Sequence, residues 1–151
     1  MQGTLRRTFV LLAVTAGLAL PARLYAEEKE ETRTGTWIKV AMMTDDKYSR
    51  DEKTVFSPDA PAIYAIYRVV AAGPAKLKAV FWADAVEGVE PKTKLLEKVL
   101  TVNEKGEFMG AVPALKPANG WPAGAYRVEF YVGEALSKTL SFKVVKKPAT
   151  P

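Results

Sequence analysis

The regular spacing of turn-forming residues is the feature that most constrains this chain. Clusters of Gly, Pro, Asn, Asp and Ser recur about every ten positions from residue 44 to residue 124. The segments between these clusters are short and rich in Val, Ile, Tyr, Phe and Trp, the residue types typical of strands. No long segment has the periodicity of an amphipathic helix. The spacing therefore predicts an all-β fold of about seven strands.

Alternation within these segments predicts which face of each strand is buried. In residues 125–132, the apolar residues Tyr126, Val128, Phe130 and Val132 fall on one face, and charged residues fall on the other. The other predicted strands are 37–43, 62–70, 76–82, 99–102, 107–112 and 136–145, with a short edge piece at 54–56. A strand with one buried and one wet face produces this period of two, so we expect an antiparallel β-sandwich.

Two segments have more than one interpretation. In residues 92–100, Leu95, Leu96, Val99 and Leu100 have a spacing that fits either a strand or one short helical turn. Residues 103–106, with the sequence Asn-Glu-Lys-Gly, have the composition of a four-residue hairpin loop. We therefore expect the strands on either side of residues 103–106 to pair with each other.

The first 26 residues have the composition of a secretory signal peptide. Arg6 and Arg7 precede an apolar run at 8–20, Pro21 ends that run, and Ala26 offers a small residue for cleavage. The run is too short for a stable transmembrane helix. A buried N-terminal helix or an uncleaved anchor are the alternatives. Cleavage after residue 26 predicts a periplasmic or secreted protein that has no integral membrane segment in its mature form.

The predicted domain organisation follows from these compositional changes. Residues 1–26 form the signal peptide, 27–35 a flexible leader, 36–145 the sandwich domain and 146–151 a disordered tail. The full chain carries a net charge of +5, and removal of residues 1–26 takes away three arginines and no acid, which leaves +2. The basic cluster of Lys143, Lys146 and Lys147 is interpreted as a solubilising end. We therefore expect no nucleic-acid partner.

The chain contains neither histidine nor cysteine, which narrows the chemistry it can perform. Disulfides, thiol nucleophiles, imidazole bases and the usual zinc ligands are all excluded. Asp45, Asp46, Asp51 and Glu52 could hold calcium, but their spacing is not that of an EF-hand and basic residues interrupt them. We therefore expect a solvated charged loop at 45–52, and a protein that is not an enzyme and needs no metal or cofactor.

The sequence GWPAGAYRVEFYV at 120–132 is followed by a short turn and an alternating strand that ends in FKV at 142–144. This pattern resembles the final hairpin of bacterial exported immunoglobulin-like and fibronectin-III-like domains. VFSPDAPAIYAIY and KLKAVFW, further upstream, are similar to the edge, second and third strands of such domains. The resemblance spans residues 54–144 and implies an immunoglobulin-like sandwich. It also implies that Tyr126 forms a tyrosine corner, in which the hydroxyl bonds to nearby backbone.

Three aromatic residues are candidates for a binding surface. Tyr64 and Tyr131 are predicted on strand faces opposite the core, where such side chains stack on sugars or anchor a protein partner. Trp82 is the third candidate, although both faces of residues 76–82 carry apolar residues and its own face is ambiguous. The alternative is that loops cover these faces. The candidates favour a non-catalytic binding module of the cell envelope, with another envelope protein or a polysaccharide as partner. The second function considered is a protease inhibitor similar in plan to the BsuPI-like and chagasin-like inhibitors, with loops at 88–91 and 113–120.

Overall fold

The structure of the protein, a computed structural model, describes residues 34–147, and these form eight strands and no helix. The strands are β1 (Trp37–Thr44), β2 (Val55–Phe56), β3 (Ala62–Ala71), β4 (Ala75–Val86), β5 (Thr93–Val102), β6 (Gly106–Leu115), β7 (Gly124–Val132) and β8 (Ala135–Val144). Within residues 34–147, no helix is long and apolar enough to cross a membrane. The predicted signal peptide and parts of the predicted leader and tail lie outside the described residues.

The strands form two sheets that confirm the predicted all-β sandwich. One sheet has the order β1-β3-β6, and the other has the order β2-β8-β7-β4-β5. Neighbouring strands are antiparallel, except that the short strand β2 runs parallel to β8. The eighth strand is β2, which corresponds to the edge piece predicted at 54–56.

The core lies between the two sheets and contains the inward-facing residues of both. Ile63 from the three-stranded sheet and Phe81 from the five-stranded sheet belong to one buried cluster. The ring of Tyr67 on β3 lies 5.8 Å from the ring of Phe130 on β7, and so joins the two layers. A Cβ atom at Gly110 would collide with the Tyr67 hydroxyl, so this glycine makes room for the ring.

Tyr126 has the buried, structural position that the sequence predicts. Its side chain is almost fully buried, and its hydroxyl donates a hydrogen bond to the backbone carbonyl of Pro122. Burial raises the pKa of Tyr126 to about 12. The neighbouring Trp121 donates from Nε1 to the carbonyl of Ala60 at 2.9 Å, which closes this end of the core.

Residues 92–100 contain no helical turn, so that alternative is wrong. They lie almost entirely in β5, an edge strand that, among residues 34–147, pairs only with β4. Phe81 is opposite Leu96 and Trp82 is opposite Lys94, so Leu95 is an extra residue in a β-bulge. Leu95 and Leu96 are adjacent in the sequence, so with Val99 and Leu100 they repeat at a spacing that fits a helix as well as this bulged strand.

The predicted hairpin at residues 103–106 is also wrong. β5 pairs with β4 and β6 pairs with β3, so these residues connect the two sheets instead of two paired strands. The composition of the segment specifies a tight turn, but it does not specify the partners of the strands on either side. The final hairpin of β7 and β8 does form, with Gly133 in the left-handed region at φ 59°.

Candidate functional site

Trp82 and Tyr131 lie together on the outer face of the five-stranded sheet. Trp82 on β4 is directly opposite Arg127 on β7, and Tyr131 on β7 is opposite Lys78 on β4. The inward-facing residues beside them belong to the core, so strand alternation turns both aromatic side chains away from it. The structure therefore brings together two of the three predicted binding residues.

Glu129 links these two aromatic side chains. Its Oε2 atom accepts hydrogen bonds from Trp82 Nε1 at 3.1 Å and from the Tyr131 hydroxyl at 2.6 Å. Its Oε1 atom accepts a third hydrogen bond from Arg127 Nε at 2.9 Å. With both carboxylate oxygens engaged, Glu129 fixes the orientation of three neighbouring side chains.

Arg127 extends this network to a second carboxylate. Its Nη1 atom donates to Asp84 Oδ1, and the guanidinium carbon lies 5.1 Å from the centre of the Trp82 ring. Asp84 lies at a bulge in β4, between Ala83 and Ala85. We call the five residues of this network the outer-face cluster. They are Trp82, Asp84, Arg127, Glu129 and Tyr131.

The outer-face cluster covers the sheet beneath it. Val80 points to the same outer face and is opposite Glu129, yet it is only 3% exposed. The side chain of Glu129 is 14% exposed and that of Arg127 is 23% exposed. The cluster is therefore a half-buried, ordered surface on which aromatic and charged groups hold one another in place.

The hydrogen bonds of the cluster also set its protonation. Partial burial acts to raise the pKa of Glu129, but hydrogen bonds from Tyr131, Arg127 and Trp82 outweigh it and hold the pKa below its usual value. The hydrogen bond to Glu129, with some burial, raises the pKa of the Tyr131 hydroxyl. At neutral pH Glu129 is therefore ionised and Tyr131 is protonated, so these two groups act as a fixed acceptor and donor.

Two lysines lie over the aromatic rings. Lys78 Nζ is 4.7 Å from the centre of the Tyr131 ring, and Lys94 Nζ is 6.0 Å from the centre of the Trp82 ring. Lys94 also forms an ion pair with Glu97 at 2.7 Å. Cationic groups therefore lie against both aromatic rings of the outer-face cluster.

Tyr64 does not belong to this surface. It lies on β3, opposite Thr44 on β1 and Pro113 on β6, and therefore on the outer face of the three-stranded sheet. Alternation predicts that Tyr64 points outward, but it cannot tell which sheet its strand joins. The predicted aromatic set is therefore divided between the two faces of the sandwich.

Sequence reasoning missed the polar members of the outer-face cluster. Arg127, Glu129 and Tyr131 occur at alternate positions of one strand, and this pattern places them on one face. That signal was available, but charged residues on an outward face indicate solvent-exposed side chains as readily as a hydrogen-bonded network. Nothing in the sequence around Asp84 indicates that a bulge brings it to Arg127.

In the acidic loop after β1, the carboxylates of Asp45 and Asp46 have partners within the loop. Asp45 pairs with Lys53 at 2.7 Å, and Asp46 Oδ1 accepts the backbone N–H of Tyr48 at 2.9 Å. Among residues 34–147, no group of three or more acidic side chains converges as a metal site would require. Asp45 therefore acts as an ion-pair partner within the loop, and Asp46 as a hydrogen-bond acceptor.

The two loops considered for protease inhibition lie at one end of the sandwich. The backbone N–H of Glu87, beside the 88–91 loop, donates to the carbonyl of Ala123 at 3.0 Å. In the second predicted loop, however, residues 113–115 belong to β6, so only 116–120 is outside a strand. The backbone N–H of Lys116 also donates to the carbonyl of Pro61 at 3.0 Å, which attaches this loop to the connection between β2 and β3.

Comparisons with known proteins identify the fold alone. No family model matches the chain, and no curated protein sequence matches it at a significant level. A solved structure of Pseudomonas fluorescens alkylpurine DNA glycosylase AlkC, bound to DNA with an abasic site analog, aligns with 79% of this chain. The TM-score of that alignment is 0.50, the sequence identity is 13%, and the chain spans 33% of the glycosylase.

Two glycosidases are also similar in structure. The GH3 β-glucosidase of Bifidobacterium adolescentis aligns with 72% of this chain at 11% identity and a TM-score of 0.46, and the chain spans 17% of it. The β-D-glucoside glucohydrolase of Trichoderma reesei aligns with 80% of this chain at 7% identity and a TM-score of 0.41, and the chain spans 22% of it. Because this chain covers at most a third of these enzymes, their activities do not transfer to it.

Proposed function

We propose that this chain is a non-catalytic exported binding module of the cell envelope and that the outer-face cluster is its contact surface. The observation that carries the proposal is the position of Glu129, which holds Trp82, Tyr131 and Arg127 through three hydrogen bonds. Side chains that are already ordered lose little entropy when a partner binds. Trp, Tyr and Arg are also the residue types that contribute most of the energy at protein interfaces.

The surroundings of the two rings favour a protein partner over a polysaccharide. Stacking of a sugar needs an open ring face, but Lys78 lies over Tyr131 and Arg127 lies beside Trp82. A protein partner can instead contact ring edges, the cations and the apolar stems of the long side chains. Binding of a polysaccharide is the second outcome that the experiment below separates.

The proposal also includes export of the protein and membership of its sandwich in one particular fold family. The composition of residues 1–26 supports export to the periplasm or the exterior. The division of strands between the sheets and the hydrogen bond from Tyr126 to Pro122 support an immunoglobulin-like or fibronectin-III-like sandwich. Such sandwiches carry many unrelated functions, so the binding role depends on the outer-face cluster and not on the fold.

Protease inhibition remains the second candidate function. The observation in its favour is that the 88–91 and 116–120 loops lie at the same end of the sandwich, beside the contact between Glu87 and Ala123. An inhibition screen against extracellular proteases tests this candidate directly. Inhibition that is lost when residues 88–91 are replaced by glycine and serine would favour it over the binding module.

Capture from envelope extract tests the primary proposal. The mature protein, residues 27–151, is immobilised beside its Trp82→Ala and Tyr64→Ala variants, and the bound material is analysed for protein and for carbohydrate. We expect a protein that binds wild type and Tyr64→Ala but not Trp82→Ala. Carbohydrate with the same dependence on Trp82 would overturn the preference for a protein partner. If no captured material depends on Trp82, the outer-face cluster is not the contact surface.

A further inference from the structure

A second candidate surface lies on the outer face of the three-stranded sheet, away from the outer-face cluster. It is a groove of about 410 Å³ that crosses β1, β3 and β6. Met42 on β1 is opposite Ile66 on β3, and Arg68 on β3 lies between Val40 and Met109. The floor of the groove is therefore mainly apolar, and the loop that follows β1 forms its wall.

The charged residues that line this groove are all basic. Lys47, Arg50 and Arg68 line it, and no acidic residue among the described residues does. Arg68 forms an ion pair with Glu107 at 3.5 Å, in which both side chains are 45% exposed. An exposed pair of this kind is weak and exchanges readily with another carboxylate. The groove therefore combines an apolar floor with a positively charged rim.

The groove also leaves large side chains exposed to solvent. Tyr48 is 80% exposed and Met109 is 70% exposed, and Val40 beside them is also exposed. Apart from Tyr67, whose ring packs in the core, five of the lining residues are Met, Tyr or Arg, the types enriched at protein–protein interfaces. Methionine adapts its shape to a partner at little cost, which suits a surface that recognises a peptide segment.

We propose that this groove binds an acidic segment of a partner protein, one that carries apolar side chains beside its carboxylates. The carboxylates complement Lys47, Arg50 and Arg68, and the apolar side chains cover the Met42 and Met109 thioethers. This site lies on the opposite sheet from Trp82, so it adds a second binding face that is independent of the proposed function. A protein with two such faces can bridge two partners.

Selection of random displayed peptides on the mature protein tests this proposal. We expect the enriched peptides to combine Asp or Glu with apolar residues, and to bind more weakly as salt increases. Their affinities are then measured by fluorescence polarisation for wild type, Arg50→Glu, Met109→Ser and Trp82→Ala. The first two variants should weaken binding about tenfold or more, as expected for loss of a charge pair or an apolar anchor. Trp82→Ala should bind like wild type.

The same experiment has clear contrary outcomes. Selection that enriches no peptides, or peptides without acidic residues, would overturn the proposal. Equal affinity of acidic peptides for wild type, Arg50→Glu and Lys47→Glu would also overturn it. Laurate is included as a small amphiphilic anion, and saturable binding of laurate without peptide binding would assign the groove to a small molecule instead. Both substituted cations are exposed, so each variant is expected to keep the wild-type melting temperature.

Discussion

The Tyr126 hydroxyl donates a hydrogen bond of 2.6 Å to the backbone carbonyl of Pro122, four residues earlier in the chain. This bond joins the start of β7 to the connection that crosses from β6. The Tyr126 ring also stacks on Phe142 of β8, with ring centres 5.0 Å apart. Because the chain has no cysteine, the stability of the domain depends on such packing and hydrogen bonds.

Removal of the Tyr126 side chain should strongly destabilise the domain. Tyr126→Ala is expected to cost about 3–5 kcal/mol, as for other large aromatic residues in a core. Tyr126→Phe keeps the packed ring and loses only the hydrogen bond to Pro122, so it should cost about 1 kcal/mol. Thermal melting measures both. A wild-type midpoint for Tyr126→Ala would show that this residue is not in the core.

Glu129 should make the domain sensitive to acid. Its pKa in the folded protein is below the ordinary value of 4.5, so below that pH the unfolded chain takes up a proton before the folded one does. The stability that this carboxylate contributes is present above pH 4.5 and is lost as the pH falls through the folded pKa.

Melting temperatures measured across this pH range test the effect of Glu129. Glu129→Gln should lower the melting temperature at neutral pH and make its fall with acid less steep. Glu134→Gln, in the exposed turn between β7 and β8, is the matched control and should keep the wild-type slope. If Glu129→Gln shows the same acid dependence as wild type, the hydrogen bonds at Glu129 do not stabilise its ionised form.

Gly124 should be intolerant of a side chain. Its φ is +149°, and a Cβ atom there would collide with the carbonyl oxygen of Ala85 and the Cα atom of Val86. We expect Gly124→Ala to cost about 1–3 kcal/mol through strain and overpacking. At Gly73, no atom of the described residues lies within 4 Å of a Cβ position, so Gly73→Ala is the control and should leave stability nearly unchanged. If urea denaturation shows the same loss of unfolding free energy for both variants, the close packing of Gly124 against Ala85 and Val86 does not restrict this position.

Calcium should not stabilise the loop at 45–52. Asp45 is paired with Lys53, and Asp46 accepts the backbone N–H of Tyr48, so two of the four candidate carboxylates already have partners. We expect neither added calcium nor a chelator to change the melting temperature of the mature protein. A rise of several degrees with calcium, lost in Asp46→Asn, would instead assign a metal site to this loop.

Local alternation predicts the direction of a side chain better than the partners of its strand. The alternating apolar residues from Tyr126 to Val132 correctly identify the buried face of β7, because this pattern depends only on neighbouring positions. The split between Tyr64 and Trp82 depends on which sheet each strand joins, which is a long-range property. The bulges at Leu95 and Asp84 shift register by one residue, and no local signal marks them. The sequence therefore indicates outward aromatic residues but not their grouping.

The affinity of the captured envelope partner for Trp82→Ala is the most direct test of the proposed binding role. Isothermal titration with the purified partner should show a loss of about 30-fold or more for Trp82→Ala, the size expected for a central interface residue. Tyr64→Ala, on the opposite sheet, should bind within about twofold of wild type, as expected for a residue outside the interface. Wild-type affinity for a Trp82→Ala variant that remains folded would contradict the assignment of the outer-face cluster as the contact surface.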